Sequence, residues 1–226
     1  MSPRKNNVRP RDAASLVLHR HNGAGEVLIL MGRRAPRHRF LPELYVFPGG
    51  RLDPDDCEAT AATALQSDVA TRLARHSSPR KAFGLAMAAV RETYEETGLL
   101  IGAPLNGQAS LPPSWQHFYD TGQAPALGDI DFIARALTPP PSPIRFNARF
   151  FIIDGERAEG RLGGSGELLD LDWYPLAELQ KLPLADVTEF VLDTALDHIA
   201  APPQPDPTRP VPVFCYRNEI AYIRYA

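Results

Sequence analysis

The 226-residue chain has little cysteine and no long apolar run, and each shortage excludes something. Its two cysteines, Cys57 and Cys215, are too few for a disulfide framework. Neither has the neighbours of a zinc site, so both read as reduced packing residues. No apolar stretch approaches the roughly 18 residues of a membrane-spanning helix. No signal-like apolar segment opens the chain, which leads us to expect a cytoplasmic protein with no membrane partner. A net charge of −3 gives no general attraction to nucleic acid or to an anionic lipid surface. What is present is 44% apolar residues, ample for one soluble domain with its own core.

Proline and glycine punctuate that domain into recognisable elements. Residues 1–12 carry Arg4, Lys5, Arg9 and Arg11 among Pro and Asn and read as a disordered tail; 13–226 read as a single domain. Ala13 to His19 and Glu26 to Met31 flank the turn residues 22–25 and predict a hairpin. A loop holding Arg33, Arg34, Arg37, His38 and Arg39 precedes an apolar strand at 45–47, and such cations suit phosphate. Asp53-Pro54 predicts a helix start and 59–75 a helix; Ser78-Pro79 predicts a second, running to 97. Trp115, His117, Phe118 and Tyr119 form an aromatic patch that we expect to be local core rather than a platform for a base. Strands are predicted at 131–137, 145–154 and 168–173, an amphipathic helix at 186–200, and a last hairpin at 213–225.

The stretch from Phe47 to Leu99 organises the rest. It opens FPGGRLD and closes AAVRETYEETGLL. Glu92, Glu95 and Glu96 stand at i, i+3 and i+4, on one face of a helix that buries Leu85, Ala89, Val90 and Tyr94 on another. Gly98 follows where a left-handed cap would end the helix. Three carboxylates on one turn repel one another, and a divalent cation would offset that. Oxygen-only donors suit Mg²⁺ or Mn²⁺, which combine carboxylates with substrate phosphates. Upstream, the amides of a Pro-Gly-Gly turn could face a phosphate.

Arg91 to Leu99, Arg-Glu-x-x-Glu-Glu-x-Gly-Leu, resembles the second half of the Nudix box, and Phe47-Pro48-Gly49-Gly50 resembles the lead-in to its first half. The family pattern is Gly-x5-Glu-x7-Arg-Glu, whereas Gly50 and Arg91 lie 41 positions apart, so about 27 residues are inserted. Counted back from Arg91, the first box glutamate falls at Phe83 and is absent; Asp53, Asp56 or Glu58 are candidates to replace it near the metal. A box split in this way resembles the coenzyme A diphosphatase branch. Arg34, Ala35 and Arg39 match that branch's motif before FPGG, while Glu43 stands where the motif has glycine. Leu137-Thr138-Pro139 with Arg145-Phe146 is similar to it as well.

The resemblance implies an α/β fold, the Nudix α/β/α sandwich with a mixed sheet and a helical insertion (about 53–78) inside the box. It implies metal-dependent hydrolysis of a nucleoside diphosphate-X bond, with coenzyme A or acyl-coenzyme A giving 3′,5′-ADP and (acyl-)phosphopantetheine. Arg91, Glu92 and Glu95 are the expected catalytic residues. Glu92, Glu95, Glu96 and Glu167 would hold the metal, with Asp170 and Asp172 as weaker alternatives to Glu167. Arg34, Arg39, Gly49, Gly50 and Arg145 would contact substrate. The alternatives are an ADP-ribose, nucleotide-sugar or NADH diphosphatase, and a non-catalytic nucleotide-binding module. A homodimer is a further expectation, with the insertion helix as one candidate interface.

Overall fold

The apolar runs become nine strands of one mixed sheet: β1 (Arg11–His21), β2 (Val27–Arg34), β3 (Tyr45–Val46), β4 (Gly49–Arg51), β5 (Asp131–Leu137), β6 (Phe146–Asp154), β7 (Leu168–Pro175), β8 (Pro212–Arg217) and β9 (Ile220–Tyr225). The computed structural model describes residues 8–105, 107, 110–140, 142–218 and 220–226, so most of the expected tail (1–7) lies outside the described residues. The strand order is β7-β2-β1-β6-β5-β8-β9, with β3 on β2 and β4 on β1. β1 runs parallel to β6, and β8 parallel to β5.

Helix α1 (Ser67–Ala74) and the 19-residue α2 (Pro79–Thr97) lie on one face and α3 (Asp186–Ala200) on the other, which makes the expected α/β/α sandwich. Alternation decides which side chain meets which layer. Leu16, Leu18, Phe151 and Ile153 pack on α2 with Leu85 and Val90. Val17, Phe150 and Ile152 pack on α3 with Val191 and Leu192. A strand covered on both faces is apolar at successive positions, which is why β6 reads Phe-Phe-Ile-Ile. The Ser78 hydroxyl caps α2 and Gly98 ends it at φ 73°, as the sequence predicts. Among the described residues no helix is long and apolar enough to cross a membrane.

Two segments differ from the sequence reading. Arg11 and Asp12 belong to β1, not to a tail: the Arg11 N–H donates to the Arg145 carbonyl at 2.9 Å, and the Asp12 carboxylate accepts from Lys81, Asn147 and Arg149 at 2.9, 3.0 and 2.7 Å. Within the insertion, the helix predicted over 59–75 shrinks to α1, preceded by a 3₁₀ turn at Pro54–Cys57 that Asp53 caps as expected. Extended backbone over 60–63 finds better partners elsewhere. Thr60 and Thr63 accept from the amides of Ser110, Leu127 and Gly128, and Ala62 N–H donates to the Pro125 carbonyl. Trp115 and Phe118 are buried in the α2 core, which confirms the aromatic patch as packing, and His117 lies 5.3 Å from the Tyr94 ring. Both cysteines are free thiols.

Candidate active site

The last turns of α2 carry Glu92, Glu95 and Glu96 against the Pro48-Gly49-Gly50 turn that leads into β4. Glu96 is 6% exposed and accepts a 2.8 Å hydrogen bond from the Gly49 N–H. That amide was expected to face a phosphate; it is instead committed to a carboxylate. Gly49 holds φ at +153°, and a Cβ there would stand 2.4 Å from the Ala14 carbonyl oxygen. A Cβ on Gly50 would stand 2.4 Å from the Glu92 carboxyl carbon. The two glycines are therefore the space in which strand and glutamates meet.

Arg91 gathers the acids. Its Nε and one terminal nitrogen donate to the two oxygens of Asp56 at 2.8 and 3.1 Å. Its other terminal nitrogen lies 3.0 Å from Glu92 and 3.2 Å from Glu95. Burial disfavours the cation, but the Asp56 hydrogen bonds and the charges of Glu92, Asp56 and Glu95 outweigh it, so its pKa lies above the usual arginine value. Asp56 is fully buried and also accepts from the Trp115 indole N–H at 3.1 Å and the Asp53 N–H at 2.7 Å.

Asp56 is the residue that counting back from Arg91 missed. Counting forward instead, the Gly-x5 step from Gly50 lands on it, so the insertion interrupts only the x7 segment after it. Phe83, at the other count, simply packs against the core. Of the remaining candidates, Asp53 caps the 3₁₀ turn and Glu58 pairs with Arg80 at the surface.

Burial and neighbouring charge set the glutamates apart from ordinary surface carboxylates. Burial, with help from the Glu95 charge, pushes Glu92 up to about 7 against the pull of Arg91. Burial pushes Glu96 up to about 8 despite the Gly49 hydrogen bond. As the side chains stand, no three acids, imidazoles or thiols among the described residues are arranged around one ion. Glu96 leans to Gly49 and Glu95 to Arg91, which holds them apart.

Glu167 lies across the cleft from α2, its carboxylate 3.8 Å from His38 Nε2. Asp170 and Asp172 are engaged otherwise, Asp170 with Arg33 at 2.7 Å and Asp172 with the Trp173 N–H. The cleft, about 670 Å³, is lined by polar groups, Arg34, His38, Arg39 and the glutamates, and by apolar ones, Phe40, Leu41, Ile144, Phe146 and Phe150. Arg34 Nε is buried with no partner among the described residues. Burial and the Arg34 charge depress the His38 pKa. Glu43, where the resembling motif has glycine, holds φ at +60°, the left-handed backbone that glycine adopts most readily. Arg145 is not at the cleft. It is buried and donates to the carbonyls of Thr138 and Val8 at 3.1 and 2.8 Å, so its role is to tie β5 and β6 to the chain before β1.

No family-level sequence model matches the chain. Among solved structures, a Nudix hydrolase from Alicyclobacillus acidocaldarius is 30% identical over 82% of this chain and 90% of that one, with a TM-score of 0.62. The M. smegmatis Nudix hydrolase RenU is 17% identical over 87% and 89%, with a TM-score of 0.47. The NUDIX domain of Shewanella oneidensis NrtR, solved with ADP ribose, is 14% identical over 87% and 93%, with a TM-score of 0.49.

Proposed function

This chain belongs to the Nudix hydrolase family, and from that premise we propose that it cleaves the diphosphate of a nucleoside diphosphate-X compound, coenzyme A or an acyl-coenzyme A foremost. The observation that carries the reading is a buried carboxylate, Glu96, and a half-buried one, Glu92, set against Gly49-Gly50 in a cleft lined by both polar and apolar side chains.

The donor set fits a divalent cation. Glu96 is buried and has a single amide for its charge, and burial raises its pKa and, against the pull of Arg91, that of Glu92. Glu92, Glu95, Glu96 and Glu167 would hold Mg²⁺ or Mn²⁺ through oxygen. When bound, the ion neutralises phosphate charge and acidifies water.

The chain's own residues account for the rest. Arg34, Arg39 and His38 grip the diphosphate, and Arg34 Nε offers a donor already stripped of water. Glu92, oriented by Arg91, accepts the proton of the attacking water. The water oxygen bonds to one phosphorus, the bridging P–O bond breaks, and the departing phosphate takes the electron pair. Arg91 orients Glu92 and Glu95 and is itself fixed by Asp56. From coenzyme A the products are 3′,5′-ADP and phosphopantetheine.

Support for that substrate comes from Arg34, Ala35 and Arg39 in their motif positions, the glycine-like backbone at Glu43, and the apolar side chains of Phe40, Ile144 and Phe146 in the cleft. The missing box glutamate, the main argument for a non-catalytic module, loses its force once Asp56 is seen on Arg91. The test is a panel of coenzyme A, acetyl-coenzyme A, ADP-ribose, NADH and a nucleotide sugar with Mg²⁺ or Mn²⁺, products resolved by chromatography. We expect 3′,5′-ADP from coenzyme A. Turnover of ADP-ribose alone would keep the mechanism and discard the substrate.

A further inference from the structure

A second cavity of about 580 Å³ shares Glu92 with the site, and its lining carries four cations, Arg11, Arg51, Lys81 and Arg91, against three acids, Asp12, Asp53 and Glu92. Arg11, Arg51 and Glu92 also line the larger cleft, so the two spaces share these residues in their walls. Strand register places the two guanidiniums together. Arg51 pairs with Ala13 across β1 and β4, and Arg11, two residues from Ala13, projects from the same face.

The acids at this cavity are already engaged. Asp12 is shared between Lys81 and the buried Arg149, so one carboxylate serves two cations. Asp53 caps the 3₁₀ turn. Among the described residues, no ion pair or hydrogen bond engages the guanidinium of Arg11 or Arg51; the Arg51 carbonyl accepts from Arg91 at 3.2 Å. Arg11 and Arg51 have no acid of their own and Lys81 shares one with Arg149, which leaves an excess that an anion would offset. Two arginine forks and an ammonium match a phosphate dianion.

We propose that this cavity is a subsite for a phosphate monoester carried on the nucleotide half of the substrate. The proposal rests on the reading that the diphosphate lies over Glu92, Glu95 and Glu96. A nucleotide with a 3′-phosphate meets this requirement, whereas a simple 5′-nucleotide leaves the cations unpaired.

The experiment is calorimetric titration with 3′,5′-ADP and with 5′-AMP, in the presence of Mg²⁺, so that no turnover is required. The wild-type protein is expected to prefer 3′,5′-ADP by about tenfold, equivalent to ~1.4 kcal/mol. Arg51→Met with Lys81→Met keeps the apolar stems and is expected to bring that preference to near unity; Arg11→Ala alone is expected to reduce it. No preference in the wild type, or one that survives both variants, overturns the proposal. So does inorganic phosphate binding that depends on Arg51 while 3′,5′-ADP and 5′-AMP bind alike, because that describes a free-phosphate site. The two readings fail separately. A cation-dependent preference for 3′,5′-ADP in a protein that does not hydrolyse coenzyme A keeps the subsite and discards the substrate. Equal hydrolysis of coenzyme A and dephospho-coenzyme A keeps the substrate and discards the subsite.

Discussion

Replacing Asp56 by alanine strips Arg91 of its two best acceptors and leaves the Trp115 indole N–H unpaired. Removing one partner of a buried ion pair costs ~3–5 kcal/mol, which urea unfolding would register. Turnover should fall more than affinity, because Arg91 then no longer holds Glu92 and Glu95 in place. An unfolding midpoint within error of the wild type would refute the assignment. Protons and cations compete at Glu92 and Glu96. With folded values of about 7 and about 8 against an unfolded 4.5, both groups favour the fold when protonated, and that contribution is lost as pH rises through 7 to 8. The melting temperature of metal-free protein should therefore decline between pH 5 and pH 8. The rise produced by Mn²⁺ should be larger at pH 8 than at pH 5.5, because binding to the folded state adds RT ln(1 + [L]/Kd). An equal rise at both pH values would place the ion elsewhere. At this scale the sequence showed most of the polar site: the three glutamates of α2 follow from their spacing alone. Asp56 lay one count away. The apolar wall of Phe40, Ile144 and Phe146 was not legible, since nothing local says that a loop and β6 will share a cleft.

Elements with a strong local signal came out where the sequence placed them. α2 has a serine cap, a proline at its first position and a glycine stop, and α3 and β5 coincide with their predicted ranges. The insertion did not, because its alanine-rich run has helix propensity but its threonines are claimed by the backbone of 110 and 127–128. Long-range partners of that kind leave no mark on local pattern. The same is true of α1, whose buried Arg72 donates to the Phe132 carbonyl at 2.6 Å and pairs with Asp131, which also pairs with Arg209. Burial raises the Asp131 pKa, but hydrogen bonds and charge from Arg209 and Arg72 prevail and hold it below 3.8. Its contribution is thus present above pH 4 and is lost as pH falls through the lowered value. Asp131→Ala should cost ~3 kcal/mol in unfolding free energy by leaving the buried Arg72 with only the longer carboxylate contact, to Asp68 at 3.4 Å. The variant should also lose the acid-limb dependence that the wild type shows. A change below ~1 kcal/mol would mean that Arg72 finds another partner.

On the scale of the whole molecule, a sheet covered on both faces delivers two cavities that share Glu92 in their walls: one lined by apolar as well as polar side chains, one with more cations than acids. The inserted residues complete this arrangement, since Asp56 locks Arg91 while Asp53 and Pro54 wall the cationic space. The family pattern in the sequence implied the sandwich and the diphosphate chemistry; the second cavity required the pairing of β1 with β4 to become visible. The most direct test of the account is release of 3′,5′-ADP from coenzyme A with Mn²⁺, measured for the wild type and Glu96→Gln. We predict turnover in the wild type and a loss of at least about 100-fold in the variant, ~2.7 kcal/mol of barrier. Undiminished turnover by Glu96→Gln, or no cleavage of any diphosphate by the wild type, would contradict it.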